Sequence, residues 1–336
     1  MKNVNKVIVW GFPNQSHTHY YTHYGWHKAF KKLGYETYWF HNGDYPSADD
    51  FDYSNSIFIT EGYVDDNIPL VESSTYFVHV CRNPEKYYGK VGRLVDMRYL
   101  VDHIKDCNYN YKLDKGSAKR ISQTTYWEEL HDNSGVSSRS GNPSRMDYEA
   151  MYTCWATDLL PEEITEDRIY VQKDNAIYWF GSARPENNKQ VRDFAREAEK
   201  NGIKFISNDP WSNPQSFETV MDYTARSIMS PDIRTAGDPT KIAIGETGTC
   251  HKDIGYIACR LFKAISYGQL GITNSKHMYD IMDGSVIYNS DEKSLFYDSL
   301  PHVKNYDLIK KQMEIVKNKH TFINRALDLI EVFNLK

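Results

Sequence analysis

Short apolar runs alternate with longer mixed stretches over the first hundred residues. Val7-Ile8-Val9-Trp10 is an apolar run closed by Gly11 and Pro13, the pattern of a strand. Residues 20–33 carry apolar positions at helical spacing and stop at Gly34, as a helix does at its C-cap. Residues 37–40, 56–60 and 76–80 read as three further strands. Strand–helix–strand order at this spacing predicts a parallel sheet covered by helices. The pattern fades across residues 114–147, where DKGSAKRISQ and HDNSGVSSRSGNPSR are polar and rich in Ser, Gly and Asn. Long segments of that kind are flexible or act as functional lids. MYTCWATDLLPEEI, compact and apolar, then predicts a crossing between domains.

The alternation restarts in the second half. Residues 176–180 form a strand pattern running into Gly181-Ser182, and residues 189–201 a helix ended by Gly202. Further strands are expected at 203–206, 241–244 and 271–273, with helices at 216–226 and 257–267. A single long helix is expected from about 304 to 333. The fold class is therefore α/β, with two Rossmann-like halves facing across a cleft and a final helix crossing back to the first. The expected division is 1–155, 156–315 and 316–336. In open α/β sheets, ligands sit outside the carboxyl ends of the strands.

Composition narrows the classes. A length of 336 residues suits two domains, and 40% hydrophobic with 25% charged residues is the balance of a globular protein. A net charge of −5 argues against a broad nucleic-acid footprint, although a nucleic-acid acceptor stays open. The 26 tyrosines and seven tryptophans suit carbohydrate or base surfaces as well as cores. Five scattered cysteines, with no CxxC pair, fit reduced thiols in the cytoplasm. No segment approaches about 18 consecutive apolar residues, so no membrane span is expected.

Candidate chemistry gathers at strand ends. In HKDIGYIACRLFKAISYGQLGITNS, Tyr256, Arg260, Lys263 and Tyr267 share one helical stripe, opposite Ile257, Leu261, Ala264 and Ile265. A guanidinium beside a helix N-terminus suits a phosphate, through its planar fork and the dipole. Thr249 and His251 precede this helix, and Asn274 follows the next strand. Gly181, Ser182 and Arg184 form a post-strand loop, and Asn208 with Trp211 another. In PNQSHTHYYTHYGWH, His17 and His19 follow the first strand and are candidate general bases. His19, His23 and His27 share one helical face. The run has no HExxH, cysteine or acid, so no metal is expected. Arg82 and Asp158 are further cleft candidates. There is no post-strand DxD, no GxGxxG after the first strand, no P-loop lysine and no GxSxG elbow.

WATDLLPEEI, WFGSARPENN, GYIACRLFKAISYGQLGITNS and HTFINRALDLIEVF, in that order along the chain, resemble GT-B glycosyltransferases of glycosyl transferase families 1 and 4, especially those related to spore-maturation proteins. The resemblance implies a nucleotide-sugar donor, UDP- or GDP-linked, held by the second half, and an acceptor hydroxyl presented by the first, as in polysaccharide biosynthesis. It implies that Gly181, Ser182 and Arg184 approach the diphosphate from one side. Arg260, with Tyr256 and Lys263, then faces it from the other, with no cofactor and no divalent metal. Many relatives keep an E-x7-E pattern around this helix. Here Asp253 and Arg260 stand seven apart, so an arginine replaces the second acid. Two alternatives share these features: a nucleotide-sugar epimerase, and a glycan-binding protein without catalysis.

Overall fold

The computed structural model describes residues 6–12, 18–81, 83–98, 122–126, 146–234 and 257–334, with the backbone alone at 18, 19, 98 and 122–126 and at several positions of 146–150. The first half is a seven-stranded sheet. Its strands are β1 (Lys6–Trp10), β2 (Glu36–Phe40), β3 (Ser56–Glu61), β4 (Thr75–His79), β5 (Arg93–Arg98), β6 (Ser122–Tyr126) and β7 (Met146–Tyr152). They lie in the order β2-β1-β3-β4-β5-β7-β6. Six are parallel, and β6 runs antiparallel to β7 at the edge. This is an α/β, Rossmann-like topology. Helix α1 (Thr18–Lys32) crosses from β1 to β2 and ends before Gly34, whose φ of +86° is the left-handed value a C-cap uses.

Strands β5 and β6 lie where the sequence predicted no strand. Arg93, Asp96 and Arg98 interrupt the apolar run of β5, yet Asp96 is buried and accepts the Cys81 backbone N–H at 3.0 Å. The polar segment 114–147 contributes β6, SQTTY, to the sheet edge.

Among the described residues the second half contains two parallel pairs. The first joins β8 (Ala176–Phe180) to β9 (Lys204–Asn208), with α2 (Lys189–Lys200) between them and α3 (Phe217–Arg226) after β9. The other joins β10 (Ile272–Thr273) to β11 (Ile287–Tyr288), surrounded by α4 (Cys259–Ser266), α5 (Lys276–Ile281) and α6 (Glu292–Ser299). Residues 227–234 run between the pairs. Ile228 N–H donates to Ala176 O at 2.9 Å and Asp232 N–H to Ile272 O at 2.8 Å. Pro231, which has no N–H, stands in this segment, where no regular ladder forms. The expected strand at 241–244 lies outside the described residues.

The single final helix expected over 304–333 is two helices, α7 (Tyr306–Lys319) and α8 (Phe322–Asn334). The break has a local cause. The Asn324 side chain accepts from Thr321 N–H at 3.0 Å, capping a new helix start. His320 is buried, stacked on Phe262 with ring centroids 4.3 Å apart. Thr157 N–H donates to His320 O at 3.0 Å. Beyond the break α8 lies on α1, with Phe322 against Trp26 at 5.0 Å between ring centroids. Arg93 of β5 donates to the Val332 carbonyl at 2.8 Å, matching the negative end of α8. No described helix is long and apolar enough to cross a membrane.

Candidate active site

Strand β1 is followed by β2 on one side and paired with β3 on the other, so the chain diverges at their carboxyl ends. That divergence opens a crevice in sheets of this kind. Gly11 and Phe12 leave β1 there. The Phe12 N–H donates to His23 Nδ1 at 3.0 Å, so the ring proton sits on Nε2, 3.3 Å from Glu61 Oε1 at the end of β3. Both side chains are buried. A Cβ on Gly11 would stand 2.0 Å from the His23 ring, so only glycine allows this approach. His79 ends the neighbouring β4, in register with Glu61.

A second group of candidate residues comes from the second half. Helix α4 is amphipathic: Leu261, Phe262, Ala264 and Ile265 are buried in the core, and Arg260 and Lys263 lie on the other side. Arg260 donates from Nη2 to the Phe180 carbonyl at 2.5 Å, at the carboxyl end of β8. Its guanidinium lies over the Trp179 ring, 4.1 Å from the centroid. A Cβ on Gly181 would come within 2.9 Å of Nη2, so the glycine makes room for the arginine. The arginine is thus clamped at the β8 corner.

The two post-strand loops are braced to each other. Gly181 N–H donates to Asn208 O at 3.1 Å, and Asn187 holds the Ser182 carbonyl at 2.9 Å and the Arg184 N–H at 2.7 Å. Arg184 Nη1 pairs with Asp209 at 2.9 Å. Asp209 also accepts the Trp211 N–H at 3.1 Å, and Asn208 and Asn213 bond side chain to side chain at 2.8 Å. On this rigid loop Trp211 is 64% exposed.

A buried polar cluster forms where α1 meets α4. Asp158 Oδ2 accepts the Tyr267 hydroxyl at 2.9 Å. Tyr21, from α1, lies under Lys263, whose ammonium is 3.7 Å from the ring centroid. Burial pushes the Asp158 carboxyl above the usual carboxylate range, against the pull of the Lys263 charge. Burial also lowers Lys263, opposed by the Asp158 charge. The Tyr21 and Tyr267 phenols rise for the same reason, helped by Asp158.

The structure thus brings together Gly181, Ser182, Arg184, Asn208, Trp211, Arg260 and Lys263 around the ends of β8 and β9. It adds Trp179, Tyr21, Asp158 and Tyr267, of which the sequence signalled only Asp158 and the Tyr267 stripe. Asn274 lies in a separate buried network. It is fully buried, accepting the Arg234 N–H at 2.7 Å and donating to Glu292 at 2.8 Å. That network also holds Asp232 against Arg234. His17, Arg82, Thr249, His251 and Tyr256 lie outside the described residues, as does the His19 side chain; the backbone of His19 stands in the first turn of α1. Helix α4 starts at Cys259, not at residue 257. Among the described residues no group of three or more His, Cys, Asp or Glu could hold a metal ion. The chain matches no family model and no curated protein.

Proposed function

We propose that this chain is a metal-independent glycosyltransferase with the GT-B arrangement, moving a hexosyl or pentosyl group from a UDP- or GDP-linked donor to a hydroxyl of a glycan or other acceptor. The observation that carries the reading is Arg260, clamped between Trp179 and the Phe180 carbonyl at a strand's carboxyl end, with Lys263 one turn further along the same helix face. Two cations there would face a diphosphate, and a bidentate guanidinium suits its oxygens. In this reading residues 1–155 carry the acceptor, residues 156–315 the donor, and residues 316–336 pack back on the first part. The enzyme is cytoplasmic.

The acceptor oxygen forms its bond to the anomeric carbon as the carbon–oxygen bond to the diphosphate breaks. The acceptor proton passes to a base, for which His17 and His19 are candidates, and the nucleoside diphosphate leaves with its charge held by Arg260 and Lys263. Arg184 joins them only by releasing Asp209. Trp211 offers a base-stacking face on a braced loop.

The test is Arg260→Ala, measured by calorimetry with UDP and GDP and by release of nucleotide from a panel of nucleotide sugars. Wild type binds one of the diphosphates, and the variant loses at least about tenfold in affinity while its melting temperature stays close to wild type. Unchanged affinity and turnover in the variant, or a wild type that binds neither nucleotide, refutes the reading.

A further inference from the structure

The geometry points to a site for a hydroxyl group of the donor sugar, formed by Tyr21 and Asp158 and roofed by Lys263; this rests on the glycosyltransferase reading above. Two complementary polar atoms belong to this cluster. Among the described residues the Tyr21 hydroxyl and Asp158 Oδ1 find no hydrogen-bond partner, although each residue is only 3% exposed, and the Asp158 charge acts on the Tyr21 phenol. Buried polar atoms are ordinarily matched, so two such orphans in one cluster mark a place where a polar group belongs.

The carboxyl group is held for that purpose. Its Oδ2 is pinned by the Tyr267 hydroxyl at 2.9 Å, and the Tyr267 ring carries the Arg168 guanidinium 4.9 Å from its centroid. Tyr21 is held by packing: Phe217 of α3 lies 5.0 Å away between ring centroids. The orphan oxygens therefore sit on fixed frames supplied by α1 and by the segment after β7. A sugar hydroxyl both donates and accepts, so it can donate to Asp158 Oδ1 and accept from the Tyr21 phenol. Three residues separate Arg260 from Lys263, a rise of about 4.5 Å along α4. A sugar joined to a diphosphate at Arg260 lies within that reach. Lys263 rests on the Tyr21 ring, and its flexible stem allows the ammonium to swing toward an arriving diphosphate.

Calorimetry on wild type, Tyr21→Phe and Asp158→Asn tests this, with UDP against UDP-glucose and GDP against GDP-mannose, and with deoxy-sugar versions of whichever donor binds. Melting curves check the fold. If Asp158→Asn does not fold, Tyr21→Phe, which removes one oxygen, carries the test. The expected result is unchanged affinity for the nucleoside diphosphate and a loss of about tenfold for the nucleotide sugar in each variant. One deoxy donor should show the same loss in wild type and no further loss in the variants. Equal changes for diphosphate and sugar forms, or no change in either, overturn the site while leaving the diphosphate clamp standing. A wild type that binds no nucleotide overturns the glycosyltransferase reading and this site with it.

Discussion

Replacing His320 by glutamine should flatten the pH dependence of stability between pH 7 and 5. Arg325 Nη2 donates to Nδ1 at 3.2 Å, and Nε2 lies 3.1 Å from the Ile281 carbonyl. The ring therefore holds its single proton on Nε2 and is neutral. Burial first, then the Arg325 charge, hold its pKa well below the ordinary histidine value. The unfolded chain binds a proton near pH 6.5 and the folded chain does not, so stability is full above that pH and falls below it. Each pH unit removes up to about 1.4 kcal/mol, or about 2 kcal/mol by pH 5. Asp158 has the opposite sign, since its raised pKa favours the folded state as pH falls; His27, lowered by burial, has the same sign as His320. Both are present in wild type and His320→Gln, so they cancel in the difference. Glutamine can supply an N–H and a carbonyl oxygen in place of the two ring nitrogens. Urea unfolding at half-unit pH steps gives the two curves. A gap that narrows by about 2 kcal/mol from pH 7 to 5 supports the assignment, and parallel curves refute it.

Three other perturbations follow from the packing. Gly11→Ala should cost at least about 2 kcal/mol by forcing His23 off the Phe12 amide and Glu61; adding His23→Ala should cost less than the sum, as a double-mutant cycle would record. Phe322→Ala should cost about 3–5 kcal/mol in denaturant unfolding, because the ring is buried between Trp26 and the face of Gly25, and a cost under 1 kcal/mol would contradict that packing. Lys173, half-buried and donating to Ala225 O at 2.6 Å, has its pKa pushed down by desolvation to about 8; NMR of the dimethylated protein should show one lysine titrating near there, and a midpoint near 10 would exclude it.

What the sequence showed clearly was apolar periodicity. β1, β3, β4 and β8 are apolar runs buried in a parallel sheet, so their positions were readable to within a residue or two. β5 and β6 were not, because charged and hydroxylated residues break the run and their pairing depends on neighbours distant in sequence. The break at His320-Thr321 was hidden for a similar reason: its cause includes contacts with Phe262 and Thr157, more than fifty residues away. In the candidate site, helical phase alone put Arg260 and Lys263 on one face. Trp179 as the platform for Arg260 required the fold, since it reads as an ordinary strand aromatic. Tyr21 was inconspicuous among many tyrosines until α1 met α4.

The packing of α8 on α1 has a consequence for biosynthesis. Trp26 emerges from the ribosome about 300 residues before Phe322 covers it. At roughly 5–20 residues per second, the first sheet waits about 15–60 s with the apolar face of α1 uncovered. During that interval the nascent chain offers a greasy helix surface to chaperones or to other nascent chains. Expression yield should therefore respond to translation speed and to chaperone supply more than the stability of the finished protein would suggest.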